Sequence, residues 1–300
     1  DIKNDEVISY YDVNSEYPAV MFLKYFPTGK SKIIREFKNN DINDFFGFVY
    51  CKVKMLNYSN LPVLPGKFNG KLSFNNNTKL GVWTTEELKK AIDLQQVEIE
   101  KIYEVQHYEK KTKNIFYEYI RYFYKLKCEN SIKENMTDKE KSDLIESCKL
   151  IGIELDINKF CYNPVICAIC KLMLNSLYGK LAQRSNMMST EIIKFDNRKR
   201  LYEILYDSTN EVSNVLIIDN NTIRVKFSKI KEFDNYNIFK TNVAVASWVT
   251  SQARLLLYSY MEKIGTENLI YCDTDSIIFK HKINKCPLEN SLVLGDMKNE

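Results

Sequence analysis

No run of apolar residues in this 300-residue chain reaches the roughly 18 that a bilayer-crossing helix needs, and no signal peptide opens it. A membrane partner is therefore not expected. Internal repeats are missing too, and the one polar tract, NNNTK at 75–79, reads as a short loop. The eight cysteines lack the spacing of a secreted disulfide framework. Their one close pair, Cys167 and Cys170, lacks the second pair that a structural zinc site requires. Both lie in an apolar helical pattern and read as reduced, buried thiols, which points to a reducing intracellular compartment. Neither sign of charge dominates: a net +4 permits a polyanionic partner without implying one.

What is present suits a globular chain. Apolar residues make up 45% of it, enough for a sizeable core. Tyr and Phe are abundant and interleave with Lys, which suits either nucleic acid or a tyrosine-rich core. The chain starts at Asp1 rather than Met, opens straight into a strand pattern and ends at LGDMKNE, so a piece of a longer protein is expected. Its richness in Lys, Asn, Ile and Tyr hints at an AT-rich genome.

EVISYYDV (6–13) reads as a strand that delivers Asp12 at its end. NSEYPAVM then turns into a helix whose first turn suits Pro18. FGFVYCKVKM (46–55) alternates like a strand, and LPVLPGKFNGK reads as a loop. TTEELKKAIDL carries a capping signature, with Thr84 or Thr85 as N-cap. IFYEYIRYFYKLKCEN has a helical apolar stripe, whereas KENMTDKEKSD reads as a charged surface crossing. NPVICAICKLMLNSLYGKLAQR (163–184) is a helix capped by Asn163, with Pro164 first and Gly179 ending or loosening it. Residues 189–235 read as short strands. VAVASWVTSQARLLLYSYMEKIG is a long helix closed by Gly265, and NLIYCDTDSIIFK gives two buried strands with acids at their junction.

Those acids raise the chemical question, because burying carboxylates is costly unless a cation or hydrogen bonds meet them. Asp273 and Asp275 are two apart, and Asp12 ends a strand that could reach the same point. Three carboxylates on adjacent sheet edges would suit a hard cation such as Mg²⁺; alone, the pair reads more readily as a hairpin turn. Lys171, Asn175 and Tyr178, spaced i, i+4 and i+7, share one helix face. That face is either solvated or a surface for phosphates, a sugar and a base.

Together, DVNSEYPAVM (12–21), KLMLNSLYGK (171–180) and YCDTDS (271–276) resemble, in order, motifs A, B and C of family B DNA polymerases. The resemblance is to the protein-primed subfamily of phages, adenoviruses, linear plasmids and Polinton-like elements, with motifs D-x-x-S-L-Y-P, K-x-x-x-N-S-x-Y-G and Y-x-D-T-D-S. It implies an α+β fold: a palm with an antiparallel sheet, short helical fingers and two insertions between the motifs. Palm would occupy 1–23 and 236–300, a terminal-protein-region-like insertion with connecting helices 24–146, fingers 147–185, and the second insertion 186–235. The organellar, viral or plasmid setting of that subfamily leaves a mitochondrial, viral or plasmid-element origin open.

The implied function is template-directed transfer of a nucleotide from a dNTP to a primer 3′-hydroxyl, or to a protein-primer hydroxyl. Two Mg²⁺ ions, with Mn²⁺ as a substitute, would be held by Asp12, Asp275 and the Val13 backbone, with Asp273 as a supporting catalytic acid near the primer end. Tyr17 resembles the residue that excludes a 2′-hydroxyl. Lys171 would bind the triphosphate and Lys159, by its spacing, would be a second ligand; Asn175 and Tyr178 would shape the nascent pair. Ser176, Gly179, Thr274 and Ser276 would meet DNA. Implied partners are template–primer DNA, dNTPs and a terminal protein.

Two positions depart from the family pattern. Glu16 stands where many relatives have Leu, a charge expected to point to solvent or to a basic neighbour. Cys167 stands where many carry Arg on the triphosphate face. Arg254, amid apolar neighbours, is either a snorkelling side chain or a partner for palm acids or nucleic acid. The exonuclease and thumb regions of relatives are not among these residues, so a silent remnant or DNA-binding module is the alternative reading. A palm polymerase that uses ribonucleotides is disfavoured by Tyr17.

Overall fold

The computed structural model describes residues 5–39, 41–183, 187–230 and 241–300. The expected boundaries at 185/186 and 235/236 lie outside them. In chain order the strands are β1 (Glu6–Val13), β2 (Phe26–Thr28), β3 (Lys32–Ile34), β4 (Gly47–Met55), β5 (Gly66–Phe68), β6 (Lys71–Ser73), β7 (Lys79–Thr84) and β8 (Val97–His107). They continue with β9 (Lys110–Thr112), β10 (Ser189–Lys194), β11 (Asn210–Asp219), β12 (Thr222–Lys229), β13 (Leu269–Asp273), β14 (Ser276–Lys282) and β15 (Met297–Asn299). The helices are α1 (Glu16–Leu23), α2 (Thr85–Asp93), α3 (Tyr117–Glu129), α4 (Asp138–Leu150), α5 (Pro164–Leu181), α6 (Arg198–Tyr206) and α7 (Val243–Ile264). The class is α+β, with antiparallel sheets throughout the described pairings.

The chain forms two compact units, residues 1–176 with 247–300, and residues 177–246. In the first, one sheet has the order β13-β14-β1-β15 and another the order β3-β8-β4-β7. A single core joins them: Tyr11, Val13, Ile277 and Phe279 pack with Leu257, Tyr258 and Met261 of α7 and with Val49, Val53 and Val105. The α7 residues recur at helical spacing, so one stripe is buried. Trp248 is fully buried, its indole N–H donating to Tyr25 O at 2.8 Å. The second unit is the sheet β10-β12-β11 with α6 on it, around Ile193, Ile204, Val225 and Phe227.

Thr84 caps α2 in a capping box with Glu87. Gly265 closes α7 with φ +84°, a left-handed conformation that glycine adopts without a Cβ penalty. Several expectations change. The stretch read as a charged crossing starts α4, through a second capping box of Thr137 and Glu140. That T-x-x-E signal was present in the sequence. The loop read at 61–71 ends in the small hairpin β5-β6, and α6 interrupts the strands expected at 189–235. Gly179 does not end α5: Ala182 N–H still donates to Tyr178 O at 3.1 Å, and the helix runs to Leu181. By length and composition alone α5 could also cross a membrane, contrary to the expectation that nothing here would, although Lys171 and Lys180 lie on it.

Candidate active site

The strand β1 is central in its sheet, and Asp12 lies near its end, opposite Ser276 of β14 on one side and Lys298 of β15 on the other. Asp275 sits in the two-residue turn between β13 and β14. Val13 N–H donates to Asp275 O at 2.8 Å, which ties the end of β1 to that turn. The turn is tight: Asp275 N–H donates to Asp273 O at 2.6 Å, and Ser276 Oγ donates to the same oxygen at 3.1 Å. Thr274 is held at φ +48°. A β-branched residue there carries strain of about 1–2 kcal/mol, the kind that collects at functional turns.

The half-buried carboxyls of Asp12 and Asp275 both titrate above the usual range. For Asp12 the cause is burial and then the charge of Asp275; for Asp275 it is burial and then the charge of Asp273. The positive charge of Lys171, on α5, pulls both back down. Folding thus brings two mutually repelling carboxylates and one lysine together from three distant segments. Two carboxylates under mutual repulsion are the donor type that a hard divalent cation takes, but the expected trio is not gathered: no group of three acidic, histidine or cysteine ligands forms among the described residues, and Asp273 stays exposed.

Asp273 and Thr274 are exposed, with Thr274 Oγ1 donating to Asp273 Oδ1 at 3.1 Å, and Ser276 is buried. Strand β13 is an exposed edge, so the acids do not lie inside a buried strand pair as expected; only β14 is buried. Asn14 positions the following turn by donating to Ser291 O at 2.7 Å. Ser15, left-handed at φ 52°, then starts α1, and Tyr17 is half-buried on it. Lys171, Asn175 and Ser176 are exposed on α5. Tyr178, half-buried, and Gly179, exposed, belong to the second unit.

Glu16 is neither solvated nor hydrogen-bonded to a base. It is 2% exposed, and neither carboxyl oxygen has a hydrogen-bond partner. Burial, then the charges of Asp275 and Asp12, push its pKa up to about 8 against the pull of Arg254. Arg254 is committed elsewhere: its Nε and Nη2 donate to Glu87 Oε1 at 2.9 and 2.6 Å. Its partner is therefore an acid of α2, not a palm acid. Because an orphaned buried acid costs about 1–3 kcal/mol, replacing Glu16 with Leu is expected to stabilise the fold by a similar amount, read as a higher urea midpoint.

Lys159 is exposed, its ammonium 3.7 Å from Asp156 one turn away. A lysine that the sequence reading missed, Lys127, meets α5 through its main-chain carbonyl. Cys167 Sγ, half-buried rather than buried, donates to Lys127 O at 3.5 Å. Burial pushes the thiols of Cys167 and Cys170 up, while the charge of Lys127 pulls both back. The local signal was its place in the last turn of α3, which says nothing about which helix it meets.

The family described as organellar and viral DNA polymerase type B matches residues 2–145 and 156–280. A probable DNA polymerase of Podospora anserina is 27% identical over 292 residues, spanning 90% of this chain and 21% of that protein. Phi29 DNA polymerase complexed with primer-template DNA and incoming nucleotide is similar in structure, with a TM-score of 0.61 at 16% identity, over 100% of this chain and 44% of that one. Its binary complex with primer-template DNA gives a TM-score of 0.60, again at 16% identity, over 99% of this chain and 42% of that one. The chain thus spans about a fifth of the curated relative and under half of these solved structures.

Proposed function

Since the chain belongs to the organellar and viral family of type B DNA polymerases, we propose that it carries the nucleotidyl-transfer centre of a template-directed DNA polymerase. The observation that carries this reading is the meeting of Asp12, Asp275 and Lys171 in one electrostatic neighbourhood. Asp12 and Asp275, with the backbone of Val13, would hold Mg²⁺, or Mn²⁺ in its place. Two such ions, when bound, supply charge neutralisation at the attacking and leaving oxygens of an in-line displacement.

The remaining work falls to the chain. Asp273 shapes the approach of the primer end from the exposed turn, with Thr274 and Ser276 beside it. Tyr17 holds the sugar and excludes a 2′-hydroxyl. Lys171 presents a point charge to the triphosphate. Cys167 brings no cation to that helix; the cation whose charge is felt at Cys167 and Cys170 is Lys127 of α3, which takes the second place, while Lys159, 3.7 Å from Asp156, has the weaker claim. Asn175, Ser176, Tyr178 and Gly179 follow on α5 toward the base pair and template. Substrates are dNTPs on template–primer DNA, with a terminal-protein hydroxyl as an alternative acceptor.

The test is steady-state incorporation of one nucleotide on a primed template with Mg²⁺. Lys171→Ala and Lys127→Ala are each expected to raise KM for dNTP by about tenfold, with a smaller change in kcat. Lys159→Ala should leave KM within about twofold. No incorporation by the wild-type protein would overturn the reading. A Lys159 effect larger than that of Lys127 would overturn the assignment of the second cation.

A further inference from the structure

The ribbon formed by β2 and β9 gathers charge that the rest of the chain does not share. Residues 24–32 and 109–113 hold six lysines (Lys24, Lys30, Lys32, Lys110, Lys111 and Lys113) against one acid, Glu109. These two short segments carry a net +5, whereas the whole 300-residue chain carries +4, so the remainder is a net −1. Antiparallel pairing of Phe26 with Thr112 and of Thr28 with Lys110 brings the segments together. Glu109 is taken by Lys32. Among the described residues no carboxylate lies within ion-pair distance of the other five lysines, and all five are exposed.

Aromatic rings, not acids, hold the central cations. Lys111 Nζ lies 5.4 Å from the ring centres of both Tyr25 and Phe46, and Lys113 Nζ lies 4.9 Å from that of Tyr25. Such a ring steadies an ammonium without cancelling its charge. The ribbon itself is anchored: Phe26 is fully buried against Phe116, and Tyr25 O accepts the indole N–H of the buried Trp248. The Tyr25 residue is still 49% exposed. Unpaired cations along a fixed ribbon, with an exposed ring among them, fit a strand that alternates phosphates and bases. An acidic peptide would supply the charge but no plane to set against Tyr25. The geometry points to a single-strand nucleic-acid track on this ribbon, in which the lysines meet phosphates and Tyr25 meets a base. The track is set apart from Tyr17 by α1, whose rise from Tyr17 to Lys24 is about 10 Å. The choice of DNA as the strand rests on the polymerase reading; the charge and the ring do not.

Fluorescence anisotropy of a labelled single strand of about 12 thymidines, without dNTP or Mg²⁺, tests the track. Between about 50 and 200 mM NaCl, the triple variant Lys110→Ala, Lys111→Ala, Lys113→Ala should flatten the slope of log affinity against log salt by about 2, because each phosphate contact on a single strand adds about 0.7. Its affinity at the low-salt end should fall at least about tenfold. Arginine at the same three positions should keep both slope and affinity. Tyr25→Ala should weaken binding several-fold with the slope unchanged. Replacing Lys139, Lys141 and Lys149 of α4 with Ala removes the same charge elsewhere and should move the slope by less than about 0.5. Circular dichroism checks that each variant is folded. Several results would overturn the track: no binding by wild type, equal slopes for wild type and the ribbon variant, or an equal loss in the α4 variant. So would a ribbon-variant loss larger for duplex than for single strand, or displacement of the strand by polyglutamate as readily as by unlabelled oligothymidylate. Because no nucleotide is incorporated in this measurement, the two readings fail separately. A chain inactive in incorporation that shows the slope difference leaves the track standing, and an active chain without that difference loses only the track.

Discussion

Replacing Asp275 with Asn is expected to lower single-nucleotide incorporation by at least about 10³-fold without unfolding the protein. Asparagine keeps the shape of the side chain, so the contacts that hold the turn survive. Those contacts are all main-chain at this residue: its N–H to Asp273 O, and its O to Val13 N–H. What is lost is the anionic oxygen that a hard cation requires. Burial leads the upward shift at Asp12, and the repulsion from Asp275 that adds to it disappears with the charge, so a well-folded but inactive protein is the expected result. Asp12→Asn should behave alike. Asp273→Asn, at an exposed position, should cost about tenfold or less. Rapid-quench incorporation with excess Mg²⁺ measures all three, alongside circular dichroism. If Asp275→Asn matches wild type, the proposed centre is wrong and the silent-remnant reading takes its place.

Replacing Arg254 with Ala should destabilise the protein by about 2–4 kcal/mol, because it strands a buried carboxylate. Glu87 is 2% exposed, and its two oxygens serve different masters. One accepts both bonds from Arg254, while the other completes the capping box on Thr84. Thr84 Oγ1 in turn meets Ser251 Oγ of α7 at 2.6 Å. Loss of the arginine therefore reaches both the cap of α2 and the seam between α2 and α7. The arginine side chain is 31% exposed, so water partly compensates and the lower end of the usual range for a broken buried pair applies. Urea unfolding measures the loss. The double replacement Arg254→Met with Glu87→Gln should recover most of it, since a pair removed together leaves no orphaned charge. A single replacement as stable as wild type would mean that the pair does not hold this seam.

The parts legible from sequence were those fixed by neighbours along the chain. The Thr84 cap, the Pro164 start, the Gly265 stop and the alternation of β1 and β4 follow from local backbone chemistry and periodicity. Even the missed helix α4 was announced locally, by Thr137 and Glu140; its high charge masked a capping box. Gly179 shows the limit of that reasoning. A glycine can end a helix, but here the flanking bonds continue and the helix carries it through.

By itself the sequence determined most of the strand and helix pattern, and the three ordered motifs in which Asp12, Lys171 and Asp275 are embedded. Only the tertiary structure decided what each of these groups faces. It buried Glu16 without a partner, gave Arg254 a partner 167 residues away, left β13 on an exposed edge, and set Lys127 rather than Lys159 beside Cys167. The reason is physical: dihedral preferences and side-chain period act over a few residues. Burial, charge pairing and orphaned polar groups depend on which distant surfaces the core brings together.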